Sequence, residues 1–240
     1  MVMVAKKKRG PRLLDVCCCA GIGGDGYRDV GFEVTGLDND KRALRHHLGS
    51  VIVGDALEVL ADHDFLSRFD VVHASFPCQL FSATRKLADA QGKGQGKAVD
   101  LLTPGLKLLR AWGGPFIVEN VERSPLRDEL GMARLCGSSF GLKVQRHRLF
   151  VAGGGLEVEG SVCDHTTFDV DETSGKPRPW GVYYAKGDSI PSGGRTCLTL
   201  EHGMECMGVT RRVPWEYLRE GIPPAYTRYL GEQIRRQLTW

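Results

Sequence analysis

At 240 residues, 42% of them hydrophobic and 25% charged, the chain can bury the core of one main domain of roughly 150 to 200 residues plus a smaller appendage, which excludes a disordered chain. The net charge of +3 does not announce a nucleic-acid partner, although basic residues cluster at Arg85, Lys86, Lys93 and Lys97, at Arg146 and Arg148, and at Arg211, Arg212, Arg228, Arg235 and Arg236. No apolar run approaches the roughly 18 residues of a membrane span, and the start lacks a secretory signal, so a cytoplasmic protein with no membrane partner is expected.

Residues 1–11 read as a basic tail, either solvated or a nuclear address. A catalytic and cofactor-binding domain is then expected over 12–152. Its first half alternates short apolar runs with helical patterns, the mark of a sheet wound with helices. RLLDVCCC (12–19) reads as a strand, GIGGDGYRDVGF (21–32) as a glycine-rich turn into a helix, and EVTGLDND (33–40) as a second strand ending in acids. KRALRHHL (41–48) reads as a helix, SVIVGDA (50–56) as the third strand, ALEVLADH (56–63) as a short helix and FDVVHASFP (69–77) as the fourth strand.

Residues 87–100 have no apolar face and read as a mobile loop. LLTPGLKLLRAW (101–112) has helical spacing, PFIVENV (115–121) is a fifth strand and RHRLFVAGG (146–154) a sixth, all taken as parallel. Residues 153–198, rich in Gly, Pro, Ser and Asp, read as a small loop-heavy insert, and 199–240 returns to helical periodicity. Trp180, Tyr183, Tyr184, Arg178 and Lys186 of the insert could make groove contacts or an aromatic minicore.

The eight cysteines are clumped rather than spaced and do not read as a disulfide framework. Cys17, Cys18 and Cys19 on a strand would face alternately and so read as small buried hydrophobes rather than ligands of one metal. Cys163 with His165 looks ligand-like, but no second pair at finger spacing accompanies it, so no metal is expected.

Parallel strands place functional loops at their carboxyl ends. The first strand runs into the glycine turn, where backbone amides can approach a ligand. The second ends in Asp38, about 20 residues on, the spacing of a ribose-binding carboxylate. The third ends in Asp55, within reach of an adenine amino group. Together these describe an adenosine-containing cofactor, and an oxidoreductase would use a similar cradle. Cys78 follows a strand and precedes a basic loop, so it is a candidate nucleophile as well as a structural cysteine. Glu119 lies at the same sheet edge. Arg146 and Arg148, two apart at the head of a strand, would project to one face. A thiolate, a proton-donating carboxyl and a cation beside an adenosyl site fit attack on a pyrimidine ring.

In this order the motifs LLDVCCCAGIGG, GLDND, GDA, FPCQLFS, ENV, QRHRLF and IPPAYTRYLG resemble those of the DNA cytosine-5 methyltransferases, most closely the short phage-type members. The resemblance implies a Rossmann-like α/β methyltransferase sheet with helices on both faces, plus a small target-recognition insert at 153–198. It implies methyl transfer from S-adenosylmethionine to C5 of cytosine in double-stranded DNA, with the base flipped out of the duplex and Cys78 bonded to C6. Glu119 would engage N3, with Arg146 and Arg148 holding base and carboxylate. Ala20, Gly21, Gly23, Asp38, Asn39, Asp55, Ala56, Pro77, Tyr226 and Thr227 would surround the cofactor. Gln79, Ser82, Arg85 and Lys86 would face DNA, and the loop after them would close on it. A monomer serving phage DNA protection or restriction-modification is the implied setting. The family's usual turn has phenylalanine where this chain has Cys17 and glycine where it has Cys19, so an aromatic cofactor contact is missing and a side chain stands where glycine's freedom is usual.

Overall fold

A computed structural model describes residues 10–81, 99–182 and 195–238. The basic tail up to residue 9, Ser82, Arg85, Lys86, most of the loop at 87–100, Tyr183, Tyr184 and Lys186 lie outside these residues.

The chain winds in order through β1 (Arg12–Val16), α1 (Ile22–Asp29), β2 (Glu33–Asp38), α2 (Lys41–Leu44), β3 (Val51–Val53), α3 (Ala56–Ala61), α4 (His63–Leu66) and β4 (Val71–Ser75). It continues through α5 (Leu102–Trp112), β5 (Phe116–Asn120), β6 (Ala133–Leu135) and β7 (Arg148–Gly153). Short ladders then lead to α6 (Leu200–Met207), α7 (Trp215–Leu218) and α8 (Pro224–Gln237). The main sheet has seven strands in the order β3-β2-β1-β4-β5-β7-β6.

Alternating side chains explain why helices cover both faces. Leu13 of β1, Val71 of β4, Ile117 of β5 and Phe150 of β7 point to one face and pack against Tyr27 of α1 and Tyr226, Leu230 and Ile234 of α8. Leu14, Val72, Val118 and Val151 point to the other and meet Leu60 of α3, Leu66 of α4 and Leu102, Leu106 and Leu109 of α5. Burying each such side chain contributes about 1.5–3 kcal/mol before entropy is counted.

Two strand expectations are corrected. The sheet has seven strands rather than six, because β6 is only ARL and too short to show a period. The 146–154 strand is β7, and it runs antiparallel to β5, pairing Glu119 with Phe150 and Asn120 with Leu149. Its reversal brings its amino end, where the arginines are, to the edge at which β1, β4 and β5 finish. The first strand stops at Val16, so the three cysteines occupy a turn, with Cys17 and Cys19 at φ 57° and 51°. The helix at 41–48 shortens to α2, since the chain turns at His46 and His47 into Gly49 at φ 100°.

Among its described residues, the region 153–198 contains two two-stranded ladders, Val170–Asp171 with Lys176–Pro177 and Trp180–Gly181 with Arg195–Thr196. Trp180 favours the minicore reading. It carries the Arg195 guanidinium 4.9 Å from its ring centre, meets His202 edge-on at 4.3 Å, and donates its indole N–H to Asp169 at 3.3 Å.

Candidate active site

β4 and β5 lie parallel with Ser75 opposite Glu119, so the loop leaving β4 starts beside that carboxylate. Phe76 buries its ring next to Gly105 of α5, and its carbonyl accepts a 2.9 Å hydrogen bond from Asn120 Nδ2. Pro77 and half-buried Cys78 follow, and the Phe81 amide donates to the Cys78 carbonyl at 2.9 Å to close the turn. Gln79 is exposed.

Arg148 opens β7 and places Nε 2.8 Å from Glu119 Oε1, with side chains 11% and 7% exposed. So buried a pair is held by geometry, since two desolvated charges gain only when closely matched. Arg148 Nη1 also donates to the His147 carbonyl at 2.9 Å. Arg146 reaches the site by a different route than strand alternation. It precedes β7 at φ 32°, is 4% exposed, and donates from Nη2 to the Arg219 carbonyl at 2.5 Å.

Burial raises the Glu119 carboxyl above its ordinary range, opposed by the charges of Arg148 and Arg146. Burial also raises the Cys78 thiol, with Arg148 pulling it down, Glu119 pushing it up and Arg146 pulling it down. The resting pair is therefore a thiol beside a carboxyl that holds a proton more readily than a free glutamate. Both arginines stand ready to stabilise a thiolate once it forms.

The second half of the site lies across the switch in strand order between β1 and β4, where open α/β sheets bind ligands. The turn after β1 is fixed by backbone contacts. Cys18 N–H donates to the Leu37 carbonyl at 3.1 Å, Gly21 N–H to the Cys18 carbonyl at 2.8 Å, and Cys19 N–H to Asp38 Oδ2 at 2.7 Å. Gly21 has φ 72°, and a Cβ there would stand 2.2 Å from the His47 ring, so only glycine fits. α1 starts at this glycine with no side-chain cap, leaving its first amides for a ligand.

Asp38 Oδ1 accepts from Asp40 N–H at 2.9 Å, and half-buried Asp38 and exposed Asn39 end β2 next to the turn. Asp55 is exposed and caps α3, its Oδ1 accepting from Leu57 and Glu58 N–H at 2.8 and 3.1 Å. Ala56 behind it is buried. The donor set fits an adenosyl group: uncapped amides beside the turn, a positioned carboxylate at β2 and an exposed one at β3.

Two residues expected at the cofactor, Thr227 and Tyr226, are held in buried hydrogen bonds. Thr227 is fully buried and donates Oγ1 to the carbonyls of Gly23 and Pro224 at 2.5 and 3.1 Å. Tyr226 is also fully buried and donates its hydroxyl to the Arg146 carbonyl at 2.9 Å. They fasten α8 to the cofactor turn and to the arginine loop. The approach is close enough that a Cβ on Gly26 would sit 2.0 Å from the Pro224 carbonyl oxygen.

Two further residues hold the site, neither of them among the expected site residues. Asn120 grips the Phe76 carbonyl with Nδ2 and the Val121 N–H with Oδ1, and its place in ENV was the available signal. Arg211 donates Nε to Asp25 Oδ2 at 2.6 Å, Nη1 to the His46 carbonyl at 2.7 Å and Nη2 to the Ala20 carbonyl at 2.6 Å. Nothing local to Arg211 marks it.

The fold is a Rossmann-like α/β sheet with helices on both faces, an architecture that S-adenosylmethionine-dependent methyltransferases share. Among solved structures, S. pombe Dnmt2 methyltransferase is similar with TM-score 0.59 and 13% identity, over 94% of this chain and 98% of its own. A mutant of Spodoptera frugiperda DNMT2 gives 0.57 and 13%, over 94% and 99%, and Entamoeba histolytica methyltransferase EhMeth gives 0.58 and 12%, over 97% and 100%. No family model matches the sequence, and no curated protein matches it significantly.

Proposed function

We propose that the protein transfers a methyl group from S-adenosylmethionine to C5 of cytosine in double-stranded DNA. The observation that carries this reading is the buried 2.8 Å Arg148–Glu119 pair on the strand next to the Cys78 loop, at the edge where the glycine turn also opens. The likeness to solved methyltransferase structures supports the architecture this chemistry needs.

S-adenosylmethionine supplies the electrophilic methyl group. Cys78 releases its proton to solvent and adds through sulfur to C6 of the flipped cytosine. Glu119 hydrogen-bonds N3 in its protonated form, so the ring can take up the electron pair without a full negative charge on nitrogen. Arg148 keeps that carboxyl in register and, with Arg146, stabilises the attacking thiolate. After methylation, with S-adenosylhomocysteine as the leaving group, transfer of the C5 proton to water and departure of the Cys78 thiolate restore the ring. Gln79 faces the DNA side, and Ser82, Arg85 and Lys86 of the following loop contact phosphates and bases. Masking of DNA from a restriction enzyme, as in phage-type methylases, is the setting this activity suits.

The test is transfer of labelled methyl groups to unmethylated duplex DNA and, in parallel, to RNA and free deoxycytidylate, followed by base analysis. Native protein is expected to form 5-methylcytosine in duplex DNA, and Cys78→Ser to lose activity by on the order of 10³-fold or more with its melting temperature unchanged. Methylation of RNA or nucleotide alone would move the substrate class, and no transfer by folded protein that also fails to bind S-adenosylmethionine would mean an idle homologue.

A further inference from the structure

Between the turn after β6, the start of β7 and the segment after it, four side chains converge that play no part in the chemistry above. Cys136 follows β6, His147 immediately precedes β7, and Cys163 and His165 come from the segment after β7. One donor atom from each lies within 4.8 Å of all the others. We propose that Cys136, His147, Cys163 and His165 form a structural zinc site.

The distances match what a tetrahedral ion demands. Zinc at about 2.05 Å from nitrogen and about 2.3 Å from sulfur sets tetrahedral edges of about 3.3 Å between two nitrogens and about 3.6 Å between sulfur and nitrogen. Here His147 Nε2 and His165 Nε2 are 3.2 Å apart, Cys136 Sγ and His165 Nε2 are 3.4 Å apart, and Cys163 Sγ and His147 Nε2 are 3.5 Å apart. Two sulfurs with two imidazoles in this arrangement select zinc over harder cations. Four protein donors leave no open position, which marks a structural site rather than a catalytic one.

The surroundings set the ligand form of one histidine. His147 Nδ1 lies 3.1 Å from Glu122 Oε1, so its proton belongs on Nδ1 and the Nε2 lone pair faces the cluster, as in carboxylate–histidine–zinc arrangements. Ser138 Oγ, 3.2 Å from Cys136 Sγ, can donate to a thiolate. Cys136 Sγ is also 3.2 Å from the Gln145 carbonyl oxygen, a contact that suits the thiol and opens when the metal displaces its proton.

The consequence for the fold is a clasp. The region 153–198 is joined to the sheet here by Ser139 Oγ donating to the Val162 carbonyl at 2.7 Å and by Asp164 N–H donating to Ser138 Oγ at 3.2 Å. The ion adds coordinate bonds across the same seam. It also pins His147, whose carbonyl accepts from Arg148, so the metal fixes the backbone between the two catalytic arginines.

The spacing hid this site. Cys163 and His165 flank a single residue, while Cys136 and His147 stand far apart on either side of a turn, and neither pair has finger spacing. This inference stands whether or not the chain methylates DNA.

Full-length protein, purified without chelator and free of any affinity tag, would be analysed for metal by mass spectrometry. The metal-depleted protein would then be titrated with cobalt(II). Native protein is expected to carry about one zinc per chain and to give the intense visible bands of tetrahedral thiolate-bound cobalt. Cys163→Ser and His165→Asn, outside the sheet, should lose the bulk of both signals while keeping native circular dichroism. His202→Asn serves as control, because Cys197, His202 and Cys206 form a second, three-membered cluster. Folded native protein that takes up neither zinc nor cobalt overturns the proposal, as does retention of both signals in Cys163→Ser, or their loss in His202→Asn alone.

Discussion

The two ends of the site are built on different principles. At the catalytic edge, β4, β5 and β7 place Cys78, Glu119 and Arg148 by strand register, and the pairs Ser75 with Glu119 and Glu119 with Phe150 set the geometry. At the cofactor edge, the turn after β1 carries two non-glycine residues in the left-handed region and is braced from remote chain, by Arg211 and by Thr227. Register is robust because it is shared by a whole sheet. A braced turn is only as firm as its braces.

Cutting the Arg148–Glu119 pair breaks the first kind of support at its centre. Arg148→Ala should cost about 3–5 kcal/mol in urea unfolding, since it leaves a buried carboxyl without its cation. The loss should grow as pH rises, because the carboxyl, already pushed up by burial, can stay neutral only at lower pH. An equal loss at all pH values would mean that Glu119 is not the group left exposed to the change.

Where the two ends meet, β1 and β4 oppose Asp15 and His73, which lie 3.8 Å apart under the Tyr27 ring. Burial pushes Asp15 up to about 7 and His73 down to about 3. The raised Asp15 contributes stability that is complete below its unfolded value of 3.8 and is lost as pH rises through about 7. The depressed His73 contributes stability that is complete above its unfolded value of 6.5 and is lost as pH falls toward about 3. The two slopes oppose each other between those unfolded values, so native stability should be nearly flat there. Asp15→Asn leaves His73 alone, and stability should then fall by up to about 1.4 kcal/mol per pH unit on acidification from 6 to 4. Chemical denaturation across that range reads the slope directly.

For the cofactor edge, Arg211→Ala removes three charge-assisted hydrogen bonds and should lower stability by about 2 kcal/mol. It should also weaken S-adenosylmethionine binding in calorimetry by about tenfold, while leaving the Cys78 thiol's reactivity toward an alkylating probe intact. Altered alkylation would show that the two ends are mechanically one. The smallest effect is expected from Cys19→Gly, which relieves a side chain at φ 51° and should raise stability by about 1 kcal/mol or less, after glycine's own entropy cost.

The same difference explains what the sequence disclosed. β1 to β5 announce themselves through apolar runs, so the places of Asp38, Asp55, Cys78 and Glu119, at or just past the strand ends, are legible from the sequence. β6 escapes because three residues show no period, and the reversal of β7 escapes because alternation carries no direction. Cys19 departs from the glycine that the resemblance led one to expect, and its left-handed backbone is the kind a glycine adopts without strain. The bracing contacts of Tyr226, Thr227 and Arg211 escape for another cause. Their partners are 80, 204 and 191 positions away, and a single sequence gives no sign of such pairings.

That long reach between α1 and α8 bears on how the protein comes into being. At a synthesis rate of about 5–20 residues per second, the glycine turn leaves the ribosome roughly 10–40 seconds before the helix that supports it. During that interval the groove of α1 around Gly26, shaped to receive the Pro224 carbonyl, is open and its apolar flank exposed. Completion of the edge formed by the glycine turn is thus a late, long-range event, since α1 can be packed only after the last helix of the chain has been made.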